Sequence, residues 1–348
     1  MTRRRRVACV LAVVFASTVL GACSGGSSDA TSSPAANKSN TASPTTTPSP
    51  AGSSGTQAPD EVLPVDTCRG DVCSTAELAT WTGVPFTPEV ACDDLGATCQ
   101  LMMDVLAPTA PGTRPIVLLV SGGPNPLTNQ GYVMDAGFPV AVHDAVVINP
   151  VWRQDRDQGG GWPTSFQDIA CAVGVARAIG PDYGGDPDRV ILVGHSLGGW
   201  ASAVVALSPA EVTPAPGTCN PTSGSLRPDA LVTLAGAVDL TERGPGRQEF
   251  LRGFFDGSRA QRPQRWAQSD PFDLAATTKQ NQIPVTVVHG TGDTTVAPAV
   301  ARDFAKALRA TGVDTHLVEV PDADHLGVLV APRATDAIVA ATDATATS

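Results

Sequence analysis

The chain has 348 residues, 42% of them hydrophobic and 16% charged, with a formal net charge of −11. That length is enough to bury a large core. An acidic body of this kind argues against nucleic acid as a partner.

Residues 1–22 read as a secretory signal: Arg3 to Arg6 supply the positive start and residues 7–20 the apolar run, which is short for a membrane span. The run ends in Leu20-Gly21-Ala22-Cys23, which resembles the bacterial lipobox. The resemblance implies acylation of Cys23 and a membrane anchor there; an ordinary signal cut near Ala22 is the alternative. Residues 24–59 are rich in Ser, Thr, Pro, Ala and Gly and have almost no large apolar side chains, so they cannot bury a core and read as a flexible tether. Residues 60–348 fit one large domain.

With Cys9 in the signal and Cys23 at the lipid site, Cys68, Cys73, Cys92, Cys99, Cys171 and Cys219 remain. An even number in an exported protein points to disulfides. Short loops favour Cys68–Cys73 and Cys92–Cys99, which leaves Cys171–Cys219. A zinc site is the rival reading, but no CxxC pair or His/Cys cluster supports it.

Along the domain, apolar runs and helical patterns alternate in the manner of an α/β sheet. Strands are expected at 99–106, 115–120, 145–149, 190–193, 230–234, 285–289 and 315–320. Helices are expected at 127–136, 165–179, 201–207 and 299–310, with a last one beginning near Leu326. Continuous apolar strands of this length suit a mostly parallel sheet covered by helices on both faces. Two stretches interrupt the alternation, 208–228 with Cys219 and 241–268 with Phe250, Phe254, Phe255 and Trp266. Either is a candidate cap over a site; an ordinary surface helix with an apolar stripe explains the second equally well.

The apolar run 190–193 leads directly into Gly194-His195-Ser196-Leu197-Gly198 and then a small-residue helix. A strand, a sharp turn and a helix lift the apical serine out of the sheet, and the glycines permit the crowded turn. A serine nucleophile needs a base, an orienting acid and an oxyanion hole. Of five histidines, His143 and His195 precede Ser196, His289 ends a strand as a packed residue would, and His316 lies inside the last strand. His325 lies just past that strand, in a loop able to fold back over the strand ends, and is the expected base. Asp293 follows a strand and a glycine-rich turn and is the expected acid. Asp322 and Asp324 share a tight loop with the histidine, and Asp239 is an outside candidate. Leu197 offers the first oxyanion N–H at the helix start. The second should come from Gly123 or Gly122 in Ser121-Gly122-Gly123-Pro124, since proline has no N–H.

These residues resemble the serine esterase and lipase branch of the α/β-hydrolase fold, nearest its hormone-sensitive-lipase-like and acetyl- or feruloyl-esterase-like members, from about Arg114 to about Val328. Residues 121–124 stand where those enzymes have His-Gly-Gly-Gly, and Asn149 to Arg153 resembles their Asn-Tyr-Arg strand end with Trp152 in the aromatic place. Gly161-Trp162-Pro163 with Asp168, the lead-in 183–189, residues 236–240 and the acid turn Gly290-Thr291-Gly292-Asp293 extend the likeness. The resemblance implies a Ser196–Asp293–His325 triad that hydrolyses small-molecule carboxylic esters. Ser121 in place of histidine, and Pro124, depart from the family pattern and imply a differently set oxyanion loop. The expected chemistry needs no metal or organic cofactor. Amide hydrolysis on the same triad and an inert hydrolase fold used for binding are the alternatives.

Overall fold

The computed structural model describes residues 57–69, 72–93, 95–241, 245–277 and 283–345. The expected signal, Cys9, the expected lipid site Cys23 and nearly all of the tether lie outside the described residues. An antiparallel start, β1 (Glu61–Arg69), β2 (Val72–Ala91) and β3 (Thr98–Pro108), precedes the alternating part of the chain. There follow β4 (Arg114–Val120), α1 (Met134–Val142), β5 (Val146–Pro150), α2 (Thr164–Ile179), β6 (Gly185–His195) and α3 (Leu197–Leu207). Then come β7 (Ala230–Leu234), α4 (Pro245–Phe255), α5 (Pro263–Ala267), α6 (Pro271–Thr277), β8 (Val285–Gly290), α7 (Pro298–Ala310), β9 (Thr315–Val320) and α8 (Pro332–Ala344).

The nine strands form one sheet in the order β1-β2-β3-β5-β4-β6-β7-β8-β9, parallel from β5 to β9. Side chains alternate across a strand, so β4 divides its residues between two cores. Ile116, Leu118 and Val120 join the cluster that holds residues of α2, α3 and α7, while Val117 and Leu119 join the cluster that holds residues of α1 and α8. Burial on both faces explains why β4 reads as an unbroken apolar run.

Two expectations are corrected. The helix expected at 127–136 begins later: a 3-10 turn at Gly131–Val133 runs into α1, because residues 125–130 turn on the Asn129 N–H to Pro126 carbonyl bond and their side chains brace the preceding loop. The helix expected from Leu326 is a short 3-10 turn at Gly327–Val330, and α8 starts at Pro332, whose fixed φ suits a first helical position. β1 and β2 come before the first expected strand, and β2 slips register against β3 between Trp81 and Val84 and again between Pro85 and Glu89, around Gly83, Pro85 and Pro88, which breaks its two-residue period.

Cys92 pairs with Cys99 and Cys171 with Cys219. Cys68 faces Cys73 in register across the hairpin, but their side chains lie outside the described residues. The stretch 208–228 is bound along α2 rather than over the sheet's reactive end. Cys219 is tied to Cys171, Gln167 donates to the Thr213 carbonyl, and Arg177 donates to the carbonyls of Ser225 and Arg227. In 241–268, Phe254 and Phe255 pack on Trp200 of α3, and Phe254 also meets Phe166 of α2. No described residue of either stretch lines the cavity beside Ser196.

Candidate active site

Ser196 sits between β6 and α3 with φ 54° and ψ −118°, a conformation L residues rarely adopt. Its N–H donates to the Leu234 carbonyl, and its own carbonyl accepts from Trp200 and Ala237, so both neighbouring elements hold the turn. A methyl group on Gly194 would sit 2.3 Å from the Gly198 carbonyl oxygen, and one on Gly198 would sit 2.4 Å from the Ser121 carbonyl oxygen. Only glycine fits at these two places, which gives the motif its physical content.

β8 and β9 end beside the elbow and deliver Asp293 and His325. The His325 Nε2 lies 2.9 Å from Ser196 Oγ, and its Nδ1 lies 2.7 Å from Asp293 Oδ2. Asp293 is buried, and its Oδ1 accepts the N–H groups of Thr295 and Val296 at 2.8 and 2.9 Å. Burial opposes its ionisation, but the His325 hydrogen bond and those two N–H groups outweigh it and hold its pKa below the ordinary value. With the carboxylate accepting from Nδ1, His325 presents a bare Nε2 to the serine hydroxyl. His289 adds an unforeseen contact. Its Nε2 lies 3.0 Å from the Val296 carbonyl oxygen and 3.2 Å from Asp293 Oδ2, and burial lowers its pKa and keeps it neutral.

The other candidates lie elsewhere. Asp239 Oδ1 accepts from Thr241, and Asp324 Oδ1 accepts the Gly327 N–H. His316 and His143 are exposed. Among the described residues no group of three or more His, Cys, Asp and Glu is arranged to hold a metal.

Residues 121–125 form the wall opposite His325, and side chains distant in sequence brace them. Gln154 Nε2 donates to Ser121 Oγ and the Gly122 carbonyl, while its Oε1 accepts the Asn125 N–H. Ser121 Oγ donates to Gln130 Oε1, and Gln130 Nε2 donates to the Trp152 carbonyl. Ser121 and two glutamines thus anchor the loop where the related pattern has histidine. A methyl group on Gly123 would sit 1.8 Å from Gln154 Oε1, so the loop is drawn tight against its brace.

Gly122 is corrected as an oxyanion donor: its N–H already donates to the Tyr132 hydroxyl at 2.8 Å. Gly123 remains, and it lines a cavity of about 560 Å³ together with Pro124, Tyr132, Ser196 and His325. Asn125, Asn129, Asp135, His195 and Thr295 also line it, with Leu326 and Leu329, and more of the lining surface is apolar than polar. Sequence reasoning missed Tyr132, Gln130, Gln154 and the contacts of His195. The one available signal was the placement of Gln130 and Tyr132 directly after the glycine loop, in a chain with only two tyrosines.

Two curated proteins of Mycobacterium tuberculosis are similar to this chain. Esterase LipQ is 29% identical over 225 residues, covering 62% of this chain and 51% of its own length. Probable carboxylic ester hydrolase LipM is 26% identical over 202 residues, covering 57% and 46%. The chain therefore spans about half the length of the curated relatives it matches. Among solved structures, a truncated carbohydrate esterase from gut microbiota superposes with a TM-score of 0.60 at 18% identity, over 78% of this chain and 97% of that one. A propionate-bound esterase, Est2 of Thermogutta terrifontis, superposes with a TM-score of 0.53 at 20% identity, over 72% and 88%. At these identities the likeness establishes the fold, that of the α/β hydrolases. The BD-FAE family model matches residues 103–308, more than half of the chain, with the strand-turn-helix that carries Ser196 and the strand and turn that carry Asp293, and the chain belongs to that family.

Proposed function

We propose that this protein is an exported serine hydrolase that cleaves small-molecule carboxylic esters. The reading rests on one observation above all: the unbroken hydrogen-bonded line from Ser196 through His325 to Asp293, opening on a cavity. His325 Nε2 takes the proton of the Ser196 hydroxyl as Oγ attacks the ester carbonyl. Asp293 holds the imidazole in the required tautomer and stabilises the imidazolium. The N–H groups of Leu197 and Gly123 receive the developing oxyanion. The tetrahedral intermediate collapses, His325 returns the proton to the leaving alcohol, and an acyl group stays on Ser196. Water then repeats the sequence: His325 takes its proton, the carboxylic acid leaves, and the proton goes back to Ser196 Oγ. Each step closes on protons already in the site and asks for no cofactor.

The similarity to named esterases supports ester over amide chemistry. Asp135 in the cavity lining, in a chain of net charge −11, disfavours anionic esters. The test is hydrolysis of p-nitrophenyl esters from acetate to palmitate by the wild type beside Ser196→Ala. Turnover that disappears in the variant supports the serine esterase, and the chain-length profile sizes the acyl site. A folded wild type that turns over none of them overturns the ester reading in favour of an amide substrate or a binding role.

Export and anchoring belong to the same proposal. The charged and apolar start of residues 1–22, the lipobox-like Cys23 and the disulfides Cys92–Cys99 and Cys171–Cys219 support an oxidising location outside the cell membrane. Incorporation of a palmitate analogue into wild type but not Cys23→Ala would bear it out; equal labelling of the two would refute it.

A further inference from the structure

Tyr132 and His195 join the two walls of the site through a single chain of hydrogen bonds. The Gly122 N–H lies 2.8 Å from the Tyr132 hydroxyl, that hydroxyl lies 2.8 Å from His195 Nδ1, and His195 Nε2 lies 2.9 Å from the His325 carbonyl oxygen. The direction of each bond follows by elimination. The His325 carbonyl has no proton to give, so His195 Nε2 carries one and donates. A neutral imidazole has only that one proton, so Nδ1 is bare and accepts. Tyr132 therefore gives its single proton to His195 and takes the Gly122 N–H on its oxygen. Burial depresses the pKa of His195 to about 4 and pushes Tyr132 up to about 12, so both stay neutral across the range in which a serine hydrolase works.

The chain of bonds runs between segments that share no covalent neighbourhood. Its three links span 10, 63 and 130 residues of sequence. At one end is the loop that carries Gly123; at the other is the backbone of His325 itself. The rings pack along the same path, with centroids 5.7 Å apart for Tyr132 and His195 and 4.8 Å apart for His195 and His325. Every donor in the chain is committed, so neither the Gly122 N–H nor the Tyr132 hydroxyl is free to meet an oxyanion.

We propose that Tyr132 and His195 are positioning residues, a two-residue strut that fixes the Gly123 loop and the His325 loop at one spacing across Ser196. This rests on the ester-hydrolase reading. An oxyanion donor and a general base must both meet the same reacting carbonyl, and misplacement by about 1 Å costs on the order of 100-fold in rate. A strut that touches both loops sets that spacing without touching the substrate's reacting atoms.

The test is a double-mutant cycle on kcat and KM for p-nitrophenyl acetate, using Tyr132→Phe, His195→Gln and the double variant. Tyr132→Phe keeps the ring and removes the hydroxyl. His195→Gln keeps a donor near the Nε2 position for the His325 carbonyl and loses the acceptor for Tyr132. Each single change is expected to lower kcat about 10- to 100-fold with KM changed less than about 3-fold. The double variant should be no slower than the slower single, because one strut can be broken only once. His195→Asn, which keeps an acceptor near the Nδ1 position, replaces His195→Gln in the cycle if the latter does not fold. Losses that multiply in the double variant, or single losses below about 3-fold in folded protein, overturn the strut. An inactive wild type that also fails to label with a fluorophosphonate overturns the ester reading and the strut with it. An active wild type with multiplying losses overturns the strut alone.

Discussion

Asp293 engages both carboxylate oxygens, accepting two backbone N–H groups on Oδ1 and two imidazoles on Oδ2. Asp293→Asn keeps the size but presents an amide that can donate to His325 Nδ1, which leaves the proton on Nε2 and nothing to accept from Ser196. We expect kcat to fall about 10⁴-fold with little change in KM; a loss under about 10-fold in a folded variant would remove Asp293 from its proposed role. Gly122→Ala tests the opposite wall, since its methyl would sit 2.7 Å from Ser196 Cβ and 2.9 Å from the Tyr132 hydroxyl. The loop must move away, and kcat/KM should drop at least about 100-fold while the melting curve stays cooperative. Ser196, His325 and Asp293 were legible in the sequence because each follows a strand, in an order and spacing that a parallel sheet brings to one edge. Tyr132, Gln130 and Gln154 were not. Their partners lie 9 to 63 residues away, at spacings no local pattern encodes.

Parallel strands were the easiest elements to read, since burial on both faces writes them as apolar runs of four or more residues. β2 stayed hidden because register slips against β3 break its two-residue period. Sheet order stayed hidden too: β5 lies between β3 and β4, a choice made by contacts remote in sequence. The stretch 208–228 illustrates how composition misleads at this scale. It has the turn-rich content of a mobile cap, yet Cys171–Cys219 and Arg177 bind it along α2. The two described disulfides close loops of very different size, with sequence separations of 48 and 7. In the chain-entropy picture the longer is worth about 4 kcal/mol and the shorter about 2.5 kcal/mol. Paired Cys171→Ala and Cys219→Ala should therefore lower the denaturation midpoint more than paired Cys92→Ala and Cys99→Ala, without changing the KM for a small ester. An equal or reversed order in urea unfolding would mean that 208–228 holds its place by packing alone.

Across the described residues, two buried imidazoles with lowered pKa values, His195 and His289, stand near Asp293, the carboxylate that the proposed triad requires ionised. His195 is faced by Tyr132, His325, Asp293 and His289, and burial among them is the largest cause of its lowered pKa. This couples the site to global stability with a definite sign. In the unfolded chain the imidazole takes up a proton as pH falls through the ordinary 6.5; in the folded protein it resists until about 4. Between those values the unfolded state binds more protons, so stability drops as pH falls through the window and is full above it. The depression corresponds to about 3 kcal/mol once the window is crossed. His289, also held neutral by burial, adds loss of the same sign. The raised pKa values of Asp104, Asp168 and Asp270 act oppositely, so the His195 contribution is best read as a difference. His195→Asn cannot titrate and keeps an acceptor for Tyr132. At pH 7.5 it should be less stable than wild type in urea unfolding, and the gap should narrow by about 3 kcal/mol on going to pH 4. A gap that stays constant over that range would mean that His195 ionises alike in the folded and unfolded chains, and that burial does not hold it neutral.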